Sequence, residues 1–164
     1  MVKSIINAHN IRFIEGVKNI EDFEFGLKYF DKANDCVYID FLSYNYCDNQ
    51  FSTSRERSRE NLLKLGQDSY TVHKAISENL LHQVYINQEA VLFWLQYSVL
   101  GYFFSLITNN YTRNDCRSAH MLYKKEGILK QLKPKVGLPR KFELFKYVVN
   151  NRALLDLVLI LRKH

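Results

Sequence analysis

The chain has 164 residues, 47% of them hydrophobic and 14% aromatic, with a formal net charge of +6. That profile excludes a disordered chain, and the length is enough to bury a core without disulfide staples, so one domain over 1–164 is expected. The charge is lopsided: residues 1–112 sum to −3, whereas 113–164 sum to +9, the kind of footprint a phosphate backbone attracts.

The start, "MVKSIINAHNIRF", has neither a continuous apolar run nor a small-residue cleavage site, so no export signal is expected there. Cys36, Cys47 and Cys116 are odd in number and irregular in spacing, which fits reduced thiols in the cytoplasm. Residues 1–50 give mixed signals. "NIRFIEG" has the character of a short strand, and "CVYIDFLSYNYC" that of a strand or buried edge. Between them, Ile20, Phe23, Leu27 and Phe30 fall at helical spacing.

From residue 53 the chain reads as helical. Thr53 with Glu56 predicts a capping box, and Gly66 a stop. A second helix is expected from Asp68 or Ser69, with Val72, Ile76, Leu80 and Val84 as its apolar stripe. In "STSRERSREN", Arg55, Arg57 and Arg59 alternate with acids and serines, as on a solvated face with pairs such as Glu56 with Arg59. Asn87 is placed to cap the next helix.

Residues 90–107, "AVLFWLQYSVLGYFFSLI", touch the minimum length of a membrane span. Gln96, two serines, a glycine and aromatics spread through the middle favour a buried central helix instead, with Phe93, Trp94, Phe103, Phe104 and, further on, Phe145 in the core. Thr112 with Asp115 three residues later opens another helix, which Gly127 closes. A basic connector, 130–141, carries Lys133, Lys135, Arg140, Lys141 and both prolines; Pro139 suits the first turn of a last helix running to the terminus. The expected fold is mainly α, a single-domain bundle of about five or six helices, with room for a short β pair near the N-terminus.

One stretch suggests chemistry. In "RNDCRSAH", Arg113 and His120 are seven residues apart, so on a helix they share a face about 10 Å apart along the axis. A first-turn guanidinium can hold a phosphate, and an imidazole can move a proton at neutral pH. With a 2′-hydroxyl as internal nucleophile, those groups suffice to cleave RNA without a metal. Arg–Asn–…–His at the start of a helix, in a small all-helical chain, resembles the HEPN superfamily, which includes RNA-cleaving toxins and antiviral effectors. The resemblance implies a helical bundle that forms a homodimer with two motifs facing across a composite site. It assigns phosphate binding to Arg113, proton transfer to His120 and orientation to Asn114; Arg117 and the connector cations Lys133, Lys135, Arg140 and Lys141 would guide RNA to them.

A second reading is a non-enzymatic helical effector, viral or phage in character, that binds a host protein or nucleic acid. The Asn-, Lys-, Ile- and Tyr-rich composition fits an AT-rich genome and is compatible with it. Neither reading calls for a cofactor or a membrane. Cys116 and His120 stand at i, i+4, a possible ligand spacing, but no CxxC or HxxxH accompanies them, so no metal is expected. His9, His73, His82 and His164 have no local partners that single them out.

Overall fold

The computed structural model describes residues 2–35, 37, 58–109 and 111–162. The expected strand over 36–47 except Val37, the Thr53–Glu56 cap, Arg55, Arg57, Cys36, Cys47 and His164 lie outside them. Seven α-helices and one 3₁₀ turn make up the described architecture: α1 (Lys3–Ala8), α2 (Glu21–Lys32), α3 (Arg59–Leu81), α4 (Gln88–Thr108), α5 (Arg113–Lys125), the 3₁₀ turn (Ile128–Leu132), α6 (Arg140–Asn150) and α7 (Arg152–Leu161). Among the described residues there is no strand, and "NIRFIEG" runs as irregular chain and a turn.

The helix count exceeds the expected five or six, and two boundaries differ from the sequence pattern. Gly66 does not end a helix; α3 runs through it, and the segment expected to start near Asp68 is its second half. The glycine serves packing instead. A Cβ at Gly66 would lie 3.1 Å from Tyr102 Oη, so its absence lets α4 approach. Val72, Ile76 and Leu80 are buried as expected, but Val84 lies beyond the helix and is exposed. Ser58 is the N-cap of α3, and its hydroxyl accepts from Asn61 N–H.

At the other end, the apolar run 140–161 looks continuous but breaks at Asn151. Its side chain accepts from Ala153 N–H and Leu154 N–H and so starts α7 afresh. Pro139 is the residue that precedes α6. Where capping is local the sequence reading holds. Asn87 accepts from Ala90 N–H, Thr112 and Asp115 form a reciprocal capping box, and Gly127 takes φ +76° just beyond α5.

The main core gathers residues of α3, α4, α5, the 3₁₀ turn, α6 and α7, centred on Ile76, Leu95, Leu100, Phe103 and Tyr123. A smaller cluster of Ile11, Phe25 and Tyr29 fastens α1 to α2. Asp31 on α2 accepts from Ile86 N–H and Asn87 N–H, anchoring α2 to the start of α4.

α4 is long and apolar enough by composition to cross a membrane. Its Val91, Leu95, Val99, Leu100, Phe103 and Leu106 pack into the core, and buried Gln96 donates to Gln131 O and Pro134 O. Contrary to expectation it is not buried all round. Its neighbours cover one side, so Trp94 and Phe104 face outward and Phe93 and Phe145 are half-buried.

Candidate nucleic-acid interface

The capping box sets the geometry around "RNDCRSAH". Asp115 accepts from Thr112 N–H at 2.7 Å and from both Arg59 guanidinium nitrogens at 2.9 and 3.0 Å. Hydrogen bonding to Arg59 holds its carboxyl down to about 2, against the opposing effect of burial. Arg59 therefore directs its charge to α5, and Glu56, its expected partner, lies outside the described residues.

Arg113 and Asn114 are exposed in the first turn of α5. His120 is not. It is 2% exposed, and its Nε2 lies 3.0 Å from Val149 O. A carbonyl only accepts, so Nε2 carries the hydrogen. Burial, partly opposed by that hydrogen bond, pushes the imidazole below its ordinary range. Arg113 and His120 share a helix face, but the face runs from solvent at the first turn to the junction of α6 and α7 at the second. The structure does not bring the two groups to one open surface.

Arg117, four residues after Arg113, donates through Nε to Asp156 at 2.8 Å and is thereby tied to α7. Cys116 is buried with Sγ 3.3 Å from Leu106 O, and burial pushes its thiol up to about 11. Since Cys116 and His120 turn to different carbonyls, they do not converge as ligands. No cluster of three or more metal-ligating side chains occurs among the described residues.

Lys133, Lys135, Arg140 and Lys141 are all exposed. Lys133 and Lys135 border a hollow of about 260 Å³ between the connector and α6, shared with exposed Tyr147. The connector is held by Gln96 and by Lys146, whose ammonium donates to Pro134 O and to Glu143.

The ion pairs decide whether this charge is neutralised inside the molecule. All four acids after residue 112 are paired: Asp115 with Arg59, Glu126 with Lys74, Glu143 with Lys146 and Asp156 with Arg117. Two of those cations come from the N-terminal part of the chain. Pairing across the chain thus occupies acids of the basic third rather than its cations. Arg113, Lys124, Lys125, Lys130, Lys133, Lys135, Arg140 and Lys141 remain exposed and form no ion pair with a described carboxylate.

His73 is a polar group that nothing in its sequence neighbourhood singles out. It is fully buried, with Nδ1 2.8 Å from Tyr123 Oη and Nε2 2.8 Å from Ser98 Oγ. Ser98 lines a cleft of about 470 Å³ bounded by Phe23, Trp94 and Tyr97. A serine bonded to an imidazole resembles a nucleophile and its base. Burial, however, pushes His73 down to about 3, and its far partner is a phenol held well above its usual value, not a carboxylate. The imidazole is a poor base, and the cluster joins α3, α4 and α5 as a structural tie. No family model, curated protein or solved structure matches the chain.

Proposed function

We propose that this chain is a non-catalytic helical module that binds nucleic acid by its phosphate backbone, through the basic surface of its C-terminal third. The observation that carries this reading is the direction of the ion pairing: the acids after residue 112 are satisfied, and the cations around them are left in excess. A surface of that kind attracts a polyanion and releases its counterions. The HEPN-like ribonuclease would need His120 at a reacting phosphate. In this arrangement its ring is buried and its N–H is engaged with Val149 O, so the geometry favours binding over cleavage.

Replacing Lys133, Lys135, Arg140 and Lys141 together by glutamine removes four exposed charges without touching the core or a described ion pair. For single-stranded RNA, the slope of log affinity against log salt is expected to become shallower by about 3, at roughly 0.7 for each phosphate no longer neutralised. An unchanged slope in the folded variant would move the interface elsewhere or remove it. In EDTA, RNA incubated with the wild-type protein is expected to stay intact. Cleavage that disappears in folded Arg113→Ala and His120→Ala variants would establish the ribonuclease in place of this reading.

A further inference from the structure

Resting on that phosphate-binding reading, we propose that the polyanion is single-stranded nucleic acid. Its bases stack on an exposed aromatic stripe of α4, Trp94, Tyr97 and Phe104, while Arg140 and Lys141 hold its backbone.

Beyond its first turn, the exposed positions of α4 are Trp94, Tyr97, Gly101, Phe104 and Thr108. At 3.6 residues per turn they fall within an arc of roughly 80°, a single ridge. Trp94 is 45% exposed, Tyr97 41% and Phe104 58%. Large rings collected along one outward ridge mark a surface that meets something apolar. The rings also brace one another: Trp94 and Tyr97 have centroids 6.0 Å apart, Tyr97 and Phe142 4.9 Å, and Phe104 and Phe145 6.3 Å. A platform held in this way loses little freedom when a flat ligand settles on it.

Gly101 lies where two hollows meet. It borders both the cleft of about 470 Å³ beside Trp94 and Tyr97 and a hollow of about 280 Å³ beside Phe104 and Phe145. Packing does not require glycine here, since an added Cβ would meet no atom within 4 Å. Mid-helix, glycine is less favourable than alanine or any other residue except proline. Its effect is to leave a low saddle across the ridge, joining the two hollows into one path.

The charge beside the ridge selects the occupant. Lys141 lines the same hollow as Phe104 and Phe145, and Arg140 precedes it at the start of α6; both are exposed, and neither pairs with a described carboxylate. Glu143, the acid of that first turn, is engaged by Lys146. An apolar protein segment would use the rings but not the cations, and a duplex would use the cations but not the rings, because its bases are stacked inside. A single strand uses both.

Trp94 is the only tryptophan in the chain, so intrinsic tryptophan fluorescence reports on this ridge alone. The full chain would be titrated with single-stranded U20 and dT20 and with a duplex of equal length at low salt. Single strands are expected to quench Trp94 and to bind more tightly than the duplex. Tyr97→Ala and Phe104→Ala are each expected to weaken single-strand binding about 5- to 150-fold, the range for loss of one base-stacking ring. Gly101→Glu would abolish binding with no loss of helical signal, because helix propensity favours the change and the site has space for it. If single strands bind without quenching and these variants bind like wild type, the inference fails and the phosphate-binding reading stands. Equal affinity for the duplex, or a dimer in sedimentation that buries Trp94 and excludes oligonucleotide, also overturns it. No binding to any nucleic acid removes both.

Discussion

Acidification from pH 7 to pH 4 is expected to remove several kcal/mol of stability, and His73 to account for the largest share. Its ring is sealed among Tyr123, Ser98 and Tyr102, and burial brings its pKa down to about 3 from an unfolded value of 6.5. Between those values the unfolded chain binds a proton that the folded chain refuses. Stability is therefore complete above about pH 6.5 and declines as the pH falls, by up to about 1.4 kcal/mol per unit for one proton. Over the whole window this amounts to about 4 to 5 kcal/mol, comparable to the total stability of many domains. His120, lowered chiefly by burial, acts in the same direction below the ordinary imidazole value. Glu24 opposes them: burial raises its carboxyl despite Lys28, so the folded state takes up that proton first as the pH approaches the ordinary carboxylate value. Asp115, held down to about 2 by Arg59, adds its own loss only below about pH 4. Thermal melts by circular dichroism across pH 7.5 to 4 measure the slope. His73→Phe should melt lower at pH 7.5, because Tyr123 and Ser98 lose a partner, yet depend less steeply on pH by nearly one proton. Equal slopes for the two proteins would show that His73 is not the group that titrates.

His73 also illustrates what the linear sequence conceals. Its partners are 25 and 50 residues away, and nothing near it in the chain announces a tie between three helices. The same holds for Arg117, whose carboxylate partner lies 39 residues on, and for His120, whose acceptor is a backbone carbonyl 29 residues on. Helix starts were legible because capping is local: Asn87 with Ala90, and Thr112 with Asp115, lie within one turn. The general helical class was legible for a similar reason, from apolar spacing repeated along the chain. Gly66 misled because a glycine ending a helix and a glycine admitting a neighbouring helix look alike in one dimension; only Tyr102 above it distinguishes them. Asn151 was hidden inside an unbroken apolar run, where periodicity continues across the cap. α4 misled in the opposite sense. Being apolar all round, it held no hint of which face stays open, and that open face carries Trp94 and Phe104. The cations of the connector were visible as composition, but that none of them pairs with a described carboxylate emerged only once the pairs had been assigned in space.

Gln96→Leu is expected to lower stability by about 1 to 3 kcal/mol and to loosen the connector that carries Lys133 and Lys135. Gln96 is fully buried, and its Nε2 donates to Gln131 O at 2.6 Å and Pro134 O at 3.0 Å. Leucine fills similar space but donates to neither, so Gln131 O bears the larger share of the penalty for a carbonyl left unsatisfied. Pro134 O retains a donor, because Lys146 Nζ lies 3.2 Å away. That shared acceptor makes the two side chains interdependent. Lys146→Met alone should cost little at Pro134 O while Gln96 remains, although Glu143 loses its partner. Together the substitutions strip Pro134 O of both donors, and their combined cost should exceed the sum of the single costs by about 0.5 kcal/mol or more. Urea melts of the four proteins give that coupling directly, and amide exchange over residues 130–138 shows whether the connector opens. Strict additivity with unchanged exchange would mean that buried Leu132 and Leu138 hold the connector by apolar docking alone. A positive coupling would instead place the position of the basic surface under the control of one amide in α4, the helix that also carries the aromatic stripe.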